Sequence, residues 1–190
     1  MLPPKKYRTY TEYSKIYQGG VAAVLKLNVL PAGHGDCLWI DYGDPATPNA
    51  VIIDGGAVGT YKRALIPRIK AGGNRAELLV ITHLDGDHIT GVLDLLGSDQ
   101  NKFNAKEIWF NGFRHLPSEI LGYEQADRLT DILVGPGINW NGIFHKMYPA
   151  DEGRIAIPDS GDLPCLKLAG GLSLTLLSPG LPQLVALRPA

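Results

Sequence analysis

The run Glu77–Thr82, ELLVIT, carries no polar side chain between its ends. Successive side chains of a strand point to opposite faces, so a strand that is apolar throughout has to be covered on both. That requirement excludes a sheet with one wet face and demands a layer on either side. Directly behind the run, HITGVLDLLGS has the period of a short amphipathic helix, and KEIWFNG reads as a further strand. Ahead of it, GTYKRALIPRIKAGG places Leu65, Ile66 and Ile69 on one helical face, Gly72–Gly73 provide a stop, and Pro67 kinks or breaks the segment. Helices alternating with strands over residues 50–112 predict a layered α/β sandwich.

Val24, Lys26 and Asn28 alternate with Leu25, Leu27 and Val29, as in a half-buried strand. PAGHGD then turns the chain, and CLWIDYG and AVIIDGG, joined by the turn formers of DPATPN, complete an expected antiparallel meander. Residues 1–20 have a character of their own and are expected as an N-terminal extension. Tyr10, Tyr13 and Tyr17 share one helical face there, predicting a short surface helix. The alternative is an arm that docks a partner chain or stacks on bases, with Lys5, Lys6, Arg8 and Lys15 nearby. Residues 21–190 form the domain proper. In its second half EILGYEQADRLTDIL reads as a helix, GINWNGIFHKMY as a hairpin or irregular loop, LPCLKL and LSLTLLSP as strands, and LPQLVALRPA as one last helical turn or two.

A hydrophobic share of 45%, a charged share of 19% and a formal charge of −1 describe an ordinary globular chain whose net charge points to no partner. Cys37 and Cys165 form no metal-finger or redox spacing, so a reducing cytoplasm is the expected location. VAAVLKLNVL is interrupted by Lys26 and Asn28 and is shorter than the roughly 20 apolar residues a bilayer span needs, so no membrane role is expected.

The chemistry concentrates where ELLVIT ends. His83, Asp85, Asp87 and His88 fall within six positions of a chain that has five histidines. In an extended segment His83, Asp85 and Asp87 project to one side while Leu84 anchors in the core, Gly86 turns the backbone, and His88 swings back toward the same space. Four donors on one strand-to-helix corner form a candidate site for divalent metal. The alternative is that Asp85 and Asp87 cap the helix beginning near His88 and both histidines are solvated. An EF-hand lacks its ordered aspartates and closing glutamate here, and GGAVG lacks the spacing of a dinucleotide fingerprint.

THLDGDHITG resembles the H-x-H-x-D-H signature of the metallo-β-lactamase superfamily, with Asp85 in place of the middle histidine. The H-x-D-x-D-H form is similar to the hydrolase domain of bacterial DNA-uptake competence channels and its stand-alone relatives. GHGDCLWIDYG, AVIIDGG, IWFNGFRHL and LTLLSP resemble further stretches of that group, so the likeness spans about residues 22 to 182. It implies an αββα sandwich of which this chain supplies roughly the N-terminal half. It implies that His83 and Asp85 bind one metal and that Asp87 and His88 belong to the second, with Asp87 at the catalytic centre. Asp54 would brace the metal loop, and Asp36 is a weaker candidate of that kind. Asn111 and His115 are candidates to line the site, with His34 and His145 behind them.

A carboxylate at position 85 hardens the donor set, so manganese, magnesium or iron compete with zinc for the two implied ions. The implied activity is hydrolysis by metal-activated water, with nucleic-acid phosphodiesters as substrate. Lactones, thioesters and small phosphodiesters are the alternative substrates, and a non-catalytic interaction fragment is the alternative to an enzyme. The T-G-D and H-H-G segments that complete the family's site are absent up to Ala190. A second polypeptide, or a C-terminal half, is therefore expected to supply the remaining ligands.

Overall fold

The structure, a computed structural model, describes residues 11–18, 21–98, 102–116 and 124–186. Its centre is a six-stranded mixed sheet. β1 (Thr11–Gln18), β2 (Val21–Val29), β3 (Leu38–Gly43) and β4 (Asn49–Ile53) run antiparallel in sequence order. β6 (Leu78–Val80) and β8 (Ile108–Trp109) then extend the sheet in parallel, with Val51 opposite Leu78 and Leu79 opposite Ile108. The two parallel crossovers carry the helices. Between β4 and β6 a π-helical turn, Tyr61–Leu65, leads into α1 (Ile66–Ala71), followed by the short β5 (Arg75–Ala76). Between β6 and β8 lie α2 (Gly86–Leu96) and β7 (Asn104–Ala105), which pairs with β5. Pro67 sits in the first turn of α1, where its missing N–H costs nothing, so it marks the break between the two helical segments.

The requirement set by ELLVIT is met. Leu79, Ile52, Trp39 and Ile108 face a core built with Leu65, Ile69, Ile89, Val92 and Leu95 from the crossover helices and Leu129 and Leu133 from α3 (Glu124–Leu133). The alternate residues Leu78, Val51, Tyr42 and Trp109 face a second cluster with Phe144, Ile155 and Leu166. That second layer comes from α4 (Gly142–Met147) and from a hairpin of β9 (Cys165–Lys167) and β10 (Ser173–Thr175), followed by α5 (Leu181–Ala186).

β2 resolves its alternation in an unexpected sense. Asn28 is the buried member: its side-chain amide donates to the Trp39 carbonyl (3.1 Å) and to the Asp41 carboxylate (3.2 Å), which also accepts from the Trp39 indole (2.6 Å) and pairs with Arg68. Leu27 and Val29, at the alternate positions, remain 38% and 37% exposed.

Two expectations are corrected. Residues 11–18 form the edge strand β1, not a helix carrying the tyrosines. The interval of four from Tyr13 to Tyr17 fits period two as well as a helical turn, and pairing with β2 decides between them. Tyr10, Lys5, Lys6 and Arg8 lie outside the described residues. GINWNGIFHKMY is neither hairpin nor loop, because α4 starts within it. Asn141 adopts the left-handed region (φ 51°), its side-chain oxygen accepts from the Phe110 N–H, and its amide donates to the carbonyls of Phe110 and Gly153, each at 2.9 Å. A fully buried asparagine thus substitutes for a strand partner beyond β8.

Asn141→Ala would leave the Phe110 N–H and the Gly153 carbonyl without these partners, while the Phe110 carbonyl keeps the Trp140 indole N–H (2.8 Å). A loss of about 3 kcal/mol or more in urea-unfolding free energy is expected; a loss under about 1 kcal/mol would contradict this role.

Candidate metal centre

At the end of β4 the chain leaves the sheet through Asp54, a left-handed aspartate (φ 59°) that is 1% exposed. Asparagine and aspartate tolerate that conformation better than other non-glycine residues. Here it turns the carboxylate under the loop that follows β6. Oδ1 accepts from the Thr82 N–H (2.8 Å), while Oδ2 accepts from the Thr82 hydroxyl (2.5 Å) and from Nδ1–H of His88 (2.8 Å). Asp54 is therefore buried and bonded to the loop after β6, not an exposed turn residue.

These bonds are possible because three backbones come unusually close. The Gly55 N–H donates to the His88 carbonyl (2.8 Å), and the Gly91 N–H to that of Gly56 (3.1 Å). A Cβ on Gly55 would stand 2.7 Å from the Gly91 carbonyl carbon, and one on Gly91 would stand 2.6 Å from the Gly55 carbonyl carbon. Neither contact admits a side chain. From the other side the PAGHGD turn seats Gly35 against the Asp87 backbone, where an added Cβ would lie 2.6 Å from the carbonyl carbon. Glycines of three segments thus allow β4, the turn before β3 and the start of α2 to converge on His88.

The donors fall into two neighbouring groups. His88 and Asp54 lie with Asp36 so that one ligand atom of each is within 4.8 Å of the others. His83 and Asp85 form the second group, with Nδ1 3.5 Å from Oδ2, and both are more than half exposed. The His83 and His88 rings stack at 4.9 Å, which joins the groups. Leu84 is buried and anchors the loop as expected. Asp87 belongs to the first turn of α2, so the extended alternation ends at Asp85, one residue before the helix begins. Asp85 occupies the N-cap position, yet its side chain makes no capping bond. Its carboxylate faces His83 instead of the helix N–H groups, which removes the main support for the capping alternative. Gly86 is also reassigned: it is absent from the residues with positive φ, so a sharp turn is not its reason for being glycine.

Asp54 has little left to offer an ion, since Thr82 and His88 occupy both its oxygens. By accepting from Nδ1 it directs the Nε2 lone pair of neutral His88 outward, the arrangement in which a histidine ligates metal while a carboxylate holds its other nitrogen. Burial draws the His88 pKa down, but the hydrogen bond and charge of Asp54, with Asp87 and Asp36 behind, outweigh it and hold the pKa above the ordinary 6.5. Protons therefore compete for this nitrogen near neutral pH. Among the described residues only Asp36, Asp54 and His88 bring ligand atoms within 4.8 Å of one another, and His83, Asp85 and Asp87 join no such group of three; an imidazole with two carboxylates is a mixed nitrogen and oxygen set that suits a hard or borderline divalent ion. Asp36 was expected only as support; its nearness to His88 makes it a candidate ligand.

The two site-lining candidates separate. Asn111 lines a cleft of about 490 Å³ with His83, Thr82, Trp109, Ile155 and Leu176. Its side-chain amide is engaged with the Ile155 backbone in both directions (2.8 and 2.9 Å). His115 is a core residue, 2% exposed: Nδ1 accepts from the Gly112 N–H (3.2 Å) and Nε2 donates to the Glu152 carbonyl (3.0 Å). Both nitrogens are committed, and burial, with Arg114, His145 and Arg154 adding to it, depresses the pKa to about 4. His34 is exposed beside Gly35, and the His145 ring packs against Gly153. No protein-family model, curated protein or solved structure matches the chain.

Two expectations follow from these geometries. His115 is neutral in the folded chain where the unfolded chain would protonate, so stability is fully present above pH 6.5 and declines as pH falls toward 4, by roughly 3 kcal/mol in all. Its imidazole resonances in NMR should stay flat from pH 7.5 to about 5; a midpoint near 6.5 would place it outside the core. Asp54→Asn should lower the His88 pKa and weaken Mn²⁺ or Zn²⁺ binding at pH 8 by about 10- to 100-fold in calorimetric titration. Unchanged affinity would remove Asp54 as the brace.

Proposed function

We propose that this chain is the metal-binding, N-terminal part of a hydrolase with a metallo-β-lactamase-like αββα sandwich, and that it cleaves phosphodiesters of nucleic acid. The observation that carries the reading is the Asp54–His88 hydrogen bond within a group of ligand atoms that Asp36 completes, at the foot of the loop that carries His83 and Asp85. Such a brace costs a buried carboxylate, and its product is a histidine whose second ring nitrogen is left free of Asp54, with Asp36 nearby.

His83 and Asp85 would hold one divalent ion, and Asp87, His88 and Asp36 would take part in holding the second, with zinc or manganese favoured and magnesium or iron allowed by the same donors. A bound ion of this kind lowers the pKa of its water to about 7 and stabilises the oxygen leaving a phosphodiester. The chain's own part is to fix the donors on a rigid corner, to neutralise the ions with three carboxylates, and to keep His88 oriented through Asp54.

A second polypeptide or C-terminal half completing the site is part of the proposal. The partial exposure of Leu27 and Val29 on the sheet leaves room there for a further layer to pack. The cytoplasm is the proposed location: both cysteines are free, Cys37 buried and Cys165 exposed, and no helix among the described residues is long and apolar enough to cross a membrane. The cleft beside His83, with Trp109, Phe110, Ile155 and Leu184 in its lining, favours one second reading, in which the scissile bond is an ester carrying an apolar group.

The test is turnover by the chain with its natural partner and saturating Mn²⁺ on single- and double-stranded DNA, RNA, an aryl phosphodiester and an apolar lactone. Cleavage of nucleic acid that falls at least about 100-fold in Asp87→Ala/His88→Ala, with partner binding retained, is expected. Inactivity on every phosphodiester overturns the substrate assignment. A monodisperse 20.5 kDa monomer that holds two ions tightly by itself overturns the partner.

A further inference from the structure

Gly86 separates Asp85 from Asp87 at the start of α2, and the side chain that faces it across the helix pair is that of Gln125. Its side-chain amide, projecting from the first turn of α3, fills the space a Cβ on Gly86 would occupy: Oε1 is the nearest atom, Cδ would be 3.3 Å away and Nε2 3.5 Å. The same amide reaches α2 a second time, since Nε2 donates to the Thr90 hydroxyl (3.4 Å), and that hydroxyl donates to the Gly86 carbonyl (2.5 Å). Gln125 is thus linked through Thr90 to the Gly86 carbonyl, which belongs to the second of the two peptide units between Asp85 and Asp87.

We propose that Gln125 is a positioning residue for this metal loop. A helix start is the least restrained part of a helix, because its first N–H groups lack intrahelical partners. The Gln125 amide stands beside Gly86 and donates to the Thr90 hydroxyl, and that hydroxyl holds the Gly86 carbonyl, so the first turn of α2 is tied through Thr90 to α3, a helix that supplies no ligand. Rotation of that backbone would swing the Asp85 and Asp87 carboxylates apart. This tie sets their separation before an ion arrives. This inference rests on the metal reading above and extends it to a residue 37 positions from His88 in the chain.

The test is Mn²⁺ affinity, by calorimetry and by electron paramagnetic resonance of the free ion, for the full chain with its partner and for Gln125→Ala, Gln125→Met, Thr90→Val and the Gln125→Ala/Thr90→Val pair. Each single variant is expected to bind about 10-fold more weakly, with the thermal midpoint of the metal-free protein little changed. The pair should bind no more weakly than the worse single variant, because both break one link. Methionine conserves the volume without the amide, so it should behave as alanine does. Single variants that bind like wild type, a methionine variant that restores affinity, or losses that multiply in the pair would each overturn the positioning role while leaving the metal centre standing. Wild-type protein that binds neither Mn²⁺ nor Zn²⁺ would overturn the metal centre and the positioning role together.

Discussion

The structure turns on the burial of one carboxylate. Removing a charged group from water costs several kcal/mol unless hydrogen bonds replace the lost hydration. Asp54 satisfies this with donors from two other segments, Thr82 at the end of the β6 run and His88 in α2. If either withdrew, a buried anion would be left short of partners. The loop with the acidic and imidazole donors is therefore held not by its own turn chemistry but by a charge beneath it. The same contact decides which nitrogen of His88 faces outward.

That arrangement needs an approach closer than side chains permit. Gly55 and Gly91 meet backbone to backbone, and Gly35 presses on Asp87. The sheet supplies the platform: parallel β4, β6 and β8 end side by side, and each chain exit contributes one part of the site, the brace from β4, the loop from β6 and the cleft wall from β8. Covering layers on both faces keep those ends in register, which is what the unbroken apolar run of β6 demands.

Much of this was legible from residues in order. ELLVIT announced a strand buried on both faces, the meander of β2 to β4 followed from period two, and the crowding of His83, Asp85, Asp87 and His88 marked the corner. What escaped was whatever depends on contacts between distant segments. Asp36 reads as a turn residue until the fold brings it to His88. Gly86 reads as a hinge until Gln125 stands beside it. His115 follows a strand that ends near the site, yet its two nitrogens are taken by the backbone of Gly112 and of Glu152, the latter 37 residues on. GINWNGIFHKMY lacks a helical period long enough to read, and Asn141 sets the start of α4 through bonds to Phe110 that no local pattern encodes. Similarly, period two in β2 states that one face is apolar without stating which face is covered.

The meeting of Gly55 and Gly91 has a consequence for motion. Their amides donate across the boundary between strand end and helix, to His88 and Gly56, so neither can exchange with solvent while β4 and α2 remain together. A loop hung on such a junction does not fray by itself. It opens only when a whole crossover peels from the sheet, which ties its fluctuations to the cooperative unfolding of the layer.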